Sequence, residues 1–183
     1  MGGNALIVGN SDGIGLEVTR RLLNGGWGVT GISRSESPVE HSSYTHYVAD
    51  VTRDEFVPIL RERLNSGAPD LFIYSAGIGE PCDPKNMEHE SRVVDVNLMG
   101  MIRAVSRVVP AMVELGRGHI IGISSLADEL LSAEAPSYHA SKAGFSSYLE
   151  SLALALEKYG VHVTNIRFGF VDTKMAKGDI KPF

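Results

Sequence analysis

Apolar residues arrive along this chain in two alternating rhythms. Short runs bounded by glycine or polar residues read as buried strands: Ala5 to Val8, Trp27 to Ser33, Tyr44 to Ala49, Asp70 to Tyr74, His119 to Ser124 and Val161 to Phe168. Between them lie stretches whose apolar positions repeat at helical spacing. Ile14, Val18 and Leu22 mark a helix from about Ile14 to Leu23, closed by Asn24-Gly25-Gly26. Phe56, Ile59, Leu60 and Leu64 mark a second over Asp54 to Asn65, where Pro58 is tolerated because it falls in the first turn. Two longer helices follow, Glu90 to Leu115 and Ser137 to Tyr159; the first is apolar on more than one side and contains Pro110, which predicts a bend near its end. The proline-containing polar stretches Arg34 to Ser43 and Gly79 to Asn86 read as loops.

Strands alternating with helices imply right-handed crossovers and a parallel sheet covered on both faces. The expected fold is therefore α/β, a doubly wound parallel sheet in three layers. No repeat, low-complexity tract or linker interrupts the pattern, so residues 1–183 are expected to form one domain.

Composition removes several function classes. A net charge of -5 without any basic run argues against nucleic acid or an anionic membrane as the main partner. Cys82 is the only cysteine, which excludes an intrachain disulfide and cysteine-rich zinc sites. The histidines, His41, His46, His89, His119, His139 and His162, lack metal-ligand spacing, so all six read as structural or solvent-facing and no metal is expected. The start of the chain shows no leader-like segment and the apolar runs fall short of a membrane span, so a cytoplasmic protein is expected.

Two stretches carry candidate chemistry. Gly9-Asn10-Ser11-Asp12-Gly13-Ile14-Gly15 follows a strand and opens a helix, the setting of a phosphate-binding turn. In it Gly9 permits the tight turn, Gly13 lets backbone approach a pyrophosphate, and Gly15 lets helix and sheet pack closely. The second is Tyr138-His139-Ala140-Ser141-Lys142, where helical spacing puts a phenol and an ammonium on one face. A nearby cation favours phenolate; a shift of about three units corresponds to roughly 4 kcal/mol and would bring the phenol toward a useful range for proton transfer. Tyr-x-x-x-Lys by itself is common, and its plain meaning is two surface residues.

Context changes that weighting. The glycine loop, Ser75-Ala76-Gly77, Asn97, Ser125 thirteen residues before Tyr138, Lys142, and Gly169-Phe170-Val171-Asp172-Thr173 stand in the order seen in short-chain dehydrogenase/reductases. The chain resembles that family from Ala5 to about Met175, and its Gly-x-x-x-Gly-x-Gly spacing matches the short-chain form of the dinucleotide loop. The resemblance implies a Rossmann fold with strand order 3-2-1-4-5-6, a bound nicotinamide dinucleotide, and hydride transfer to or from a carbonyl or secondary alcohol. It implies that Tyr138 moves the proton, Lys142 lowers the Tyr138 pKa and holds the ribose, Ser125 polarises the carbonyl, and Asn97 completes a proton relay. It places the cofactor against Gly9, Ser11, Asp12, Gly13, Ile14 and Gly15, against Asp50 and Val51 at the adenine, against Ala76 and Gly77, and against Val171 and Thr173 at the carboxamide. Ser75 stands where the family more often has Asn, and Phe168 where it has Pro.

Cofactor choice turns on the end of the second strand. No carboxylate stands at Ser33 to accept a ribose 2′-hydroxyl, while Arg34 offers a planar donor fork to a 2′-phosphate. Asp12 opposes that phosphate from the glycine loop. NADP(H) is expected, with NAD(H) the alternative. Family members run on to another helix and a seventh strand beyond Lys181-Pro182-Phe183, so the C-terminal strand is expected to be missing. A homodimer or homotetramer is expected through the two long helices, because Leu149, Leu152, Leu154 and Leu156 extend past one core-facing stripe. Leu126, Ala127, Leu130 and Leu131 suggest a partly apolar substrate pocket. Three other readings are a sugar-nucleotide epimerase or dehydratase, a cofactor-binding regulator without turnover, and an interaction protein that kept the fold.

Overall fold

The protein is described by a computed structural model over residues 2–169 and 171. Among the described residues six parallel strands form one sheet: β1 (Asn4–Val8), β2 (Gly28–Ser33), β3 (Tyr44–Val48), β4 (Leu71–Tyr74), β5 (Gly118–Ser125) and β6 (Val161–Phe168), ordered β3-β2-β1-β4-β5-β6. The helices are α1 (Gly13–Asn24), α2 (Phe56–Leu64), α3 (Glu90–Val94), α4 (Gly100–Leu115) and α5 (Pro136–Leu156). The expected doubly wound architecture and its strand order are what the chain adopts.

The period of two along β1 explains why the sheet is covered on both sides. Leu6 and Val8 enter one core with Phe72, Tyr74, Ile120, Met101, Val105 and Phe145, whereas Ala5 and Ile7 enter the other with Val29, Ile73 and Leu23 of α1. Since both faces are buried, the strand reads as a continuous apolar run rather than an alternating one. Val8 lies beside Ile32 and Tyr74, and the chain leaves β1 at the carboxyl edge between two neighbours whose onward connections cover opposite faces. That crevice is where the glycine loop sits.

The stretch from Glu90 to Leu115 is helical throughout, but its hydrogen-bonding pattern changes partway along. A π turn, Asp95–Met99, joins α3 to α4 and contains the buried Asn97, while Pro110 is accommodated inside α4. This run is long and apolar enough to cross a membrane by length and composition. In the fold it is a core helix, with Met101, Ala104, Val105, Val108 and Met112 buried. Its start is pressed against β4: a Cβ on Gly100 would lie 2.4 Å from the Tyr74 hydroxyl oxygen, which donates to the Val96 carbonyl at 2.6 Å.

Helix α5 corrects one expectation. Leu149 and Leu156 are buried in the core and Leu152 packs against it, so of the four leucines invoked for assembly only Leu154, 78% exposed, faces outward. The turn-by-turn stripe is wider than one face because α5 meets β5, β6 and the 95–99 turn together.

Candidate functional site

The glycine loop is built by backbone approach. Gly9 has φ +88°, and a Cβ there would stand 2.3 Å from the Ala76 amide nitrogen; a Cβ on Gly15 would stand 2.1 Å from the Gly9 carbonyl oxygen. Gly13, at φ +55°, begins α1. Asp12 is the helix cap, its Oδ1 accepting from the Gly13 amide at 2.7 Å. Ser11 and Ile14 are half-buried beside it. The loop thus presents a helix N-terminus and closely packed backbone, a cradle into which added side chains would intrude. These features fit the diphosphate of a dinucleotide.

Around this loop the carboxyl edge carries the other predicted cofactor residues. Asp50 accepts from the Thr52 amide at 2.9 Å and the Thr52 hydroxyl at 2.8 Å. Burial acts to raise its pKa, but these bonds and the charges of Arg34 and Arg92 outweigh it and hold the carboxyl below its usual range. Arg34 is exposed at the end of β2, within the field of Asp50. Val51 is buried and packs where Gly100 approaches; Ala76 and Gly77 are half-buried just past β4. Val171 is half-buried, and Thr173 lies outside the described residues.

The second cluster is made of side chains. Ser125 ends β5, and its oxygen accepts from the Ala127 amide at 3.2 Å to cap the short 3-10 turn Leu126–Asp128. Its side chain stands near enough to Tyr138, in the first turn of α5, to draw the phenol's pKa down. Lys142 lies one turn further on the same face, with Nζ 5.9 Å from the Tyr138 ring centroid and 4.9 Å from that of Phe145. Its ammonium donates to the Ile123 carbonyl at 2.9 Å. Burial draws Lys142 down to about 8, with the Asp128 carboxylate pulling it back up.

That orientation corrects the expected electrostatics of the tyrosine. Burial raises the Tyr138 pKa and the nearby Ser125 side chain offsets it in part; the ammonium is turned toward Ile123 and is not what sets the phenol. Asn97 is fully buried in the π turn. Its Oδ1 accepts from the Ile78 amide at 2.8 Å, and its Nδ2 donates to the Ile78 carbonyl and to Ser141 Oγ, both at 2.9 Å. It therefore ties the loop segment following Gly77 to the helix that carries Tyr138 and Lys142.

Several contributors left no signal in the sequence. Asn10 is buried under the glycine loop, donating to Tyr44 Oη at 2.7 Å and to Thr19 Oγ1 at 3.2 Å. Tyr44 meets His46 Nδ1 at 2.9 Å, whose Nε2 meets the Ser35 carbonyl at 3.0 Å. His46 is structural, as expected, but it braces the corner that carries Arg34. His139 is buried, with Nδ1 2.8 Å from the Leu130 carbonyl. Leu126, Leu130 and Leu131 are exposed; the last two line a shallow cleft with Pro136 and His139. Among the described residues no His, Cys, Asp or Glu cluster has metal-binding geometry.

A doubly wound sheet with a glycine loop at its switch point and a Ser-Tyr-Lys face on β5 and α5 defines a nucleotide-binding oxidoreductase fold. The sequence model of the short chain dehydrogenase family matches residues 3–181, and the chain belongs to that family. It is 31% identical over 186 residues to an uncharacterized oxidoreductase of Staphylococcus saprophyticus, covering 94% of this chain and 80% of that one. A 2-dehydro-3-deoxy-L-rhamnonate dehydrogenase (NAD(+)) of Sphingomonas is 32% identical over 168 residues, 86% of this chain and 67% of that one. In structure the chain is similar to a short chain dehydrogenase of Burkholderia cenocepacia in complex with NADP, with TM-score 0.88, 24% identity, and 99% and 78% of the two chains covered.

Proposed function

We propose that the chain is one NAD(P)-binding domain that transfers hydride between NADP(H) and a carbonyl or secondary alcohol. The observation that carries this reading is the convergence of Ser125, Tyr138 and Lys142 at the carboxyl edge of the sheet, the edge that also holds the glycine loop. The bound cofactor supplies the hydride. Gly9, Ser11, Asp12, Gly13, Ile14 and Gly15 hold its diphosphate, Arg34 its 2′-phosphate, Asp50 and Val51 its adenine, Ala76 and Gly77 its middle, and Val171 and Thr173 its carboxamide.

Within that frame each side chain has one task. Tyr138, kept protonated by burial, gives its proton to the carbonyl oxygen in reduction and takes it back from the alcohol in oxidation. Ser125, at the end of β5 and near Tyr138, orients the same oxygen. Lys142 brings positive charge to the ribose side of Tyr138. Asn97 fixes the helix and offers the remaining lone pair of Oδ1 to a proton relay. The substrate is a small carbonyl or alcohol compound; assembly as a homodimer or homotetramer uses α4 and α5, whose exposed Leu115 and Leu154 lie outside the core.

The test is turnover of NADPH against a panel of ketones and aldehydes, with wild type beside Tyr138→Phe. The variant is expected to lose about a thousandfold in rate, the scale of general acid catalysis, while NADPH affinity changes no more than a few fold. A variant that keeps most of its rate removes Tyr138 from the chemistry. Tight NADPH binding without turnover of any carbonyl would instead favour a cofactor-binding regulator.

A further inference from the structure

A buried carboxylate that the proposed chemistry does not use lies beside its lysine. Asp128 ends the 3-10 turn after Ser125, and its side chain is 1% exposed. Its Oδ2 accepts from the Ser146 hydroxyl and pairs with Arg167 Nε at 2.7 Å. Its Oδ1 is buried with no hydrogen-bond partner among the described residues. A carboxylate so placed is costly unless positive charge stands near it.

The packing brings that charge close. Ser146 follows Lys142 by one turn of α5, and its hydroxyl also meets Ser124 Oγ at 2.8 Å. Lys142 itself donates to Ile123, the residue before Ser124. Two neighbours on β5 are thus bonded to two residues one turn apart on α5, and Asp128 closes the bracket through Ser146. From β6, Arg167 is shared by Asp128, Glu129 and Glu150 at 2.7, 2.6 and 2.7 Å. One guanidinium among three carboxylates leaves the cluster with surplus negative charge.

Among the described residues, the groups that meet the ammonium directly are neutral: the Ile123 carbonyl from β5, and the Tyr138 and Phe145 rings from α5 itself. From the 95–99 turn, Asn97 reaches only Ser141 on this helix. The attraction of Asp128 is what opposes the burial of Lys142.

We propose that Asp128 is a positioning residue: anchored by Arg167 and Ser146, it keeps the ammonium of Lys142 charged and aimed at the Ile123 carbonyl. The inference rests on the role given to Lys142 under the proposed function. Its test therefore reads the lysine directly. The full chain, cofactor-free and with isotope-labelled lysines, is titrated by NMR as wild type, D128N and R167Q, with the Lys142 signal assigned by its loss in K142M.

D128N is expected to lower the Lys142 titration by about one unit, the effect of removing an adjacent opposite charge. R167Q leaves that carboxylate uncompensated and is expected to move the titration upward. A purely structural role predicts no such reversal, because both variants loosen the same cluster. An unchanged titration in D128N, or shifts in the same direction in both, overturns the proposal. Should D128N fail to fold, R167Q decides by itself: an upward shift supports the coupling and any other result overturns it. If the titrations reverse as expected but the pH dependence of turnover does not follow them, the coupling stands and the role of Lys142 in the reaction falls.

Discussion

The two halves of the carboxyl edge are made from different material. On the β1–β2 side the surface is backbone: a glycine at φ +88°, another with no room for a Cβ beside the Gly9 carbonyl, and a helix end capped by its neighbour in sequence. On the β5–α5 side it is side chains, those of Asn97, Asp128, Ser141, Lys142, Ser146 and Arg167, two of which, Asn97 and Lys142, are tied to the backbone of Ile78 and Ile123. The first half should resist any added carbon and forgive polar exchanges. The second should do the reverse.

Gly9→Ala breaks the comparison most sharply if it is wrong. The added methyl meets the Ala76 amide in a backbone conformation that disfavours it, so a loss of about 3 kcal/mol or more is expected. That is a drop of roughly 6–12 °C in the unfolding midpoint, against little change for Ser11→Ala. Equal midpoints for the two variants would mean the loop yields and the backbone argument fails.

On the other half the largest effect should run in the stabilising direction. Lys142 titrates at about 8 when folded and ordinarily at 10.5, so between those values the unfolded chain holds more protons and stability rises with pH. Below that window the fold carries a buried ammonium at a cost of roughly 3 kcal/mol. Lys142→Met is therefore expected to be more stable than wild type at pH 7 by up to about 3 kcal/mol, with the gap closing above pH 10, while turnover collapses. Urea unfolding of both proteins across that range checks it. A gap independent of pH would assign the gain to packing rather than to charge.

Asn97→Ala should cost about 2 kcal/mol, because the Ile78 amide and carbonyl and the Ser141 hydroxyl all lose a partner. Chemical denaturation reads the loss, and Asn97→Asp, which sets a fully buried carboxylate oxygen against the Ile78 carbonyl, should cost at least as much. An unchanged stability in Asn97→Ala would show that water replaces the amide and that the tie between Ile78 and α5 is dispensable.

The smallest effects concern cofactor choice. Arg34→Ala is expected to reduce the preference for NADPH over NADH by about tenfold, the value of one charge-assisted contact shared with Asp50. Asp12→Ser keeps a helix cap and removes a carboxylate, so it should widen the preference by a few fold. Calorimetric titration of both cofactors into the three proteins settles the order. Equal affinities in the parent would return the chain to NAD.

The sequence by itself determined what depends on neighbours along the chain. Strand and helix placement followed from period and punctuation, the strand order from the family resemblance, and the glycine loop from three residues whose backbone constraints are local. Even Tyr138 and Lys142 were legible as a pair, because a helix repeats every turn. What the tertiary structure decided is where those groups point and what charge surrounds them. Lys142 turns to Ile123 rather than to the phenol, the leucines of α5 lie mostly in the core, and a π turn forms around Asn97. Asp128 looks in sequence like one more acidic residue of a surface turn, and becomes a buried counter-charge only when β6 brings Arg167 against it. Burial and the direction of a long side chain are set by elements distant in sequence, so no local pattern encodes them.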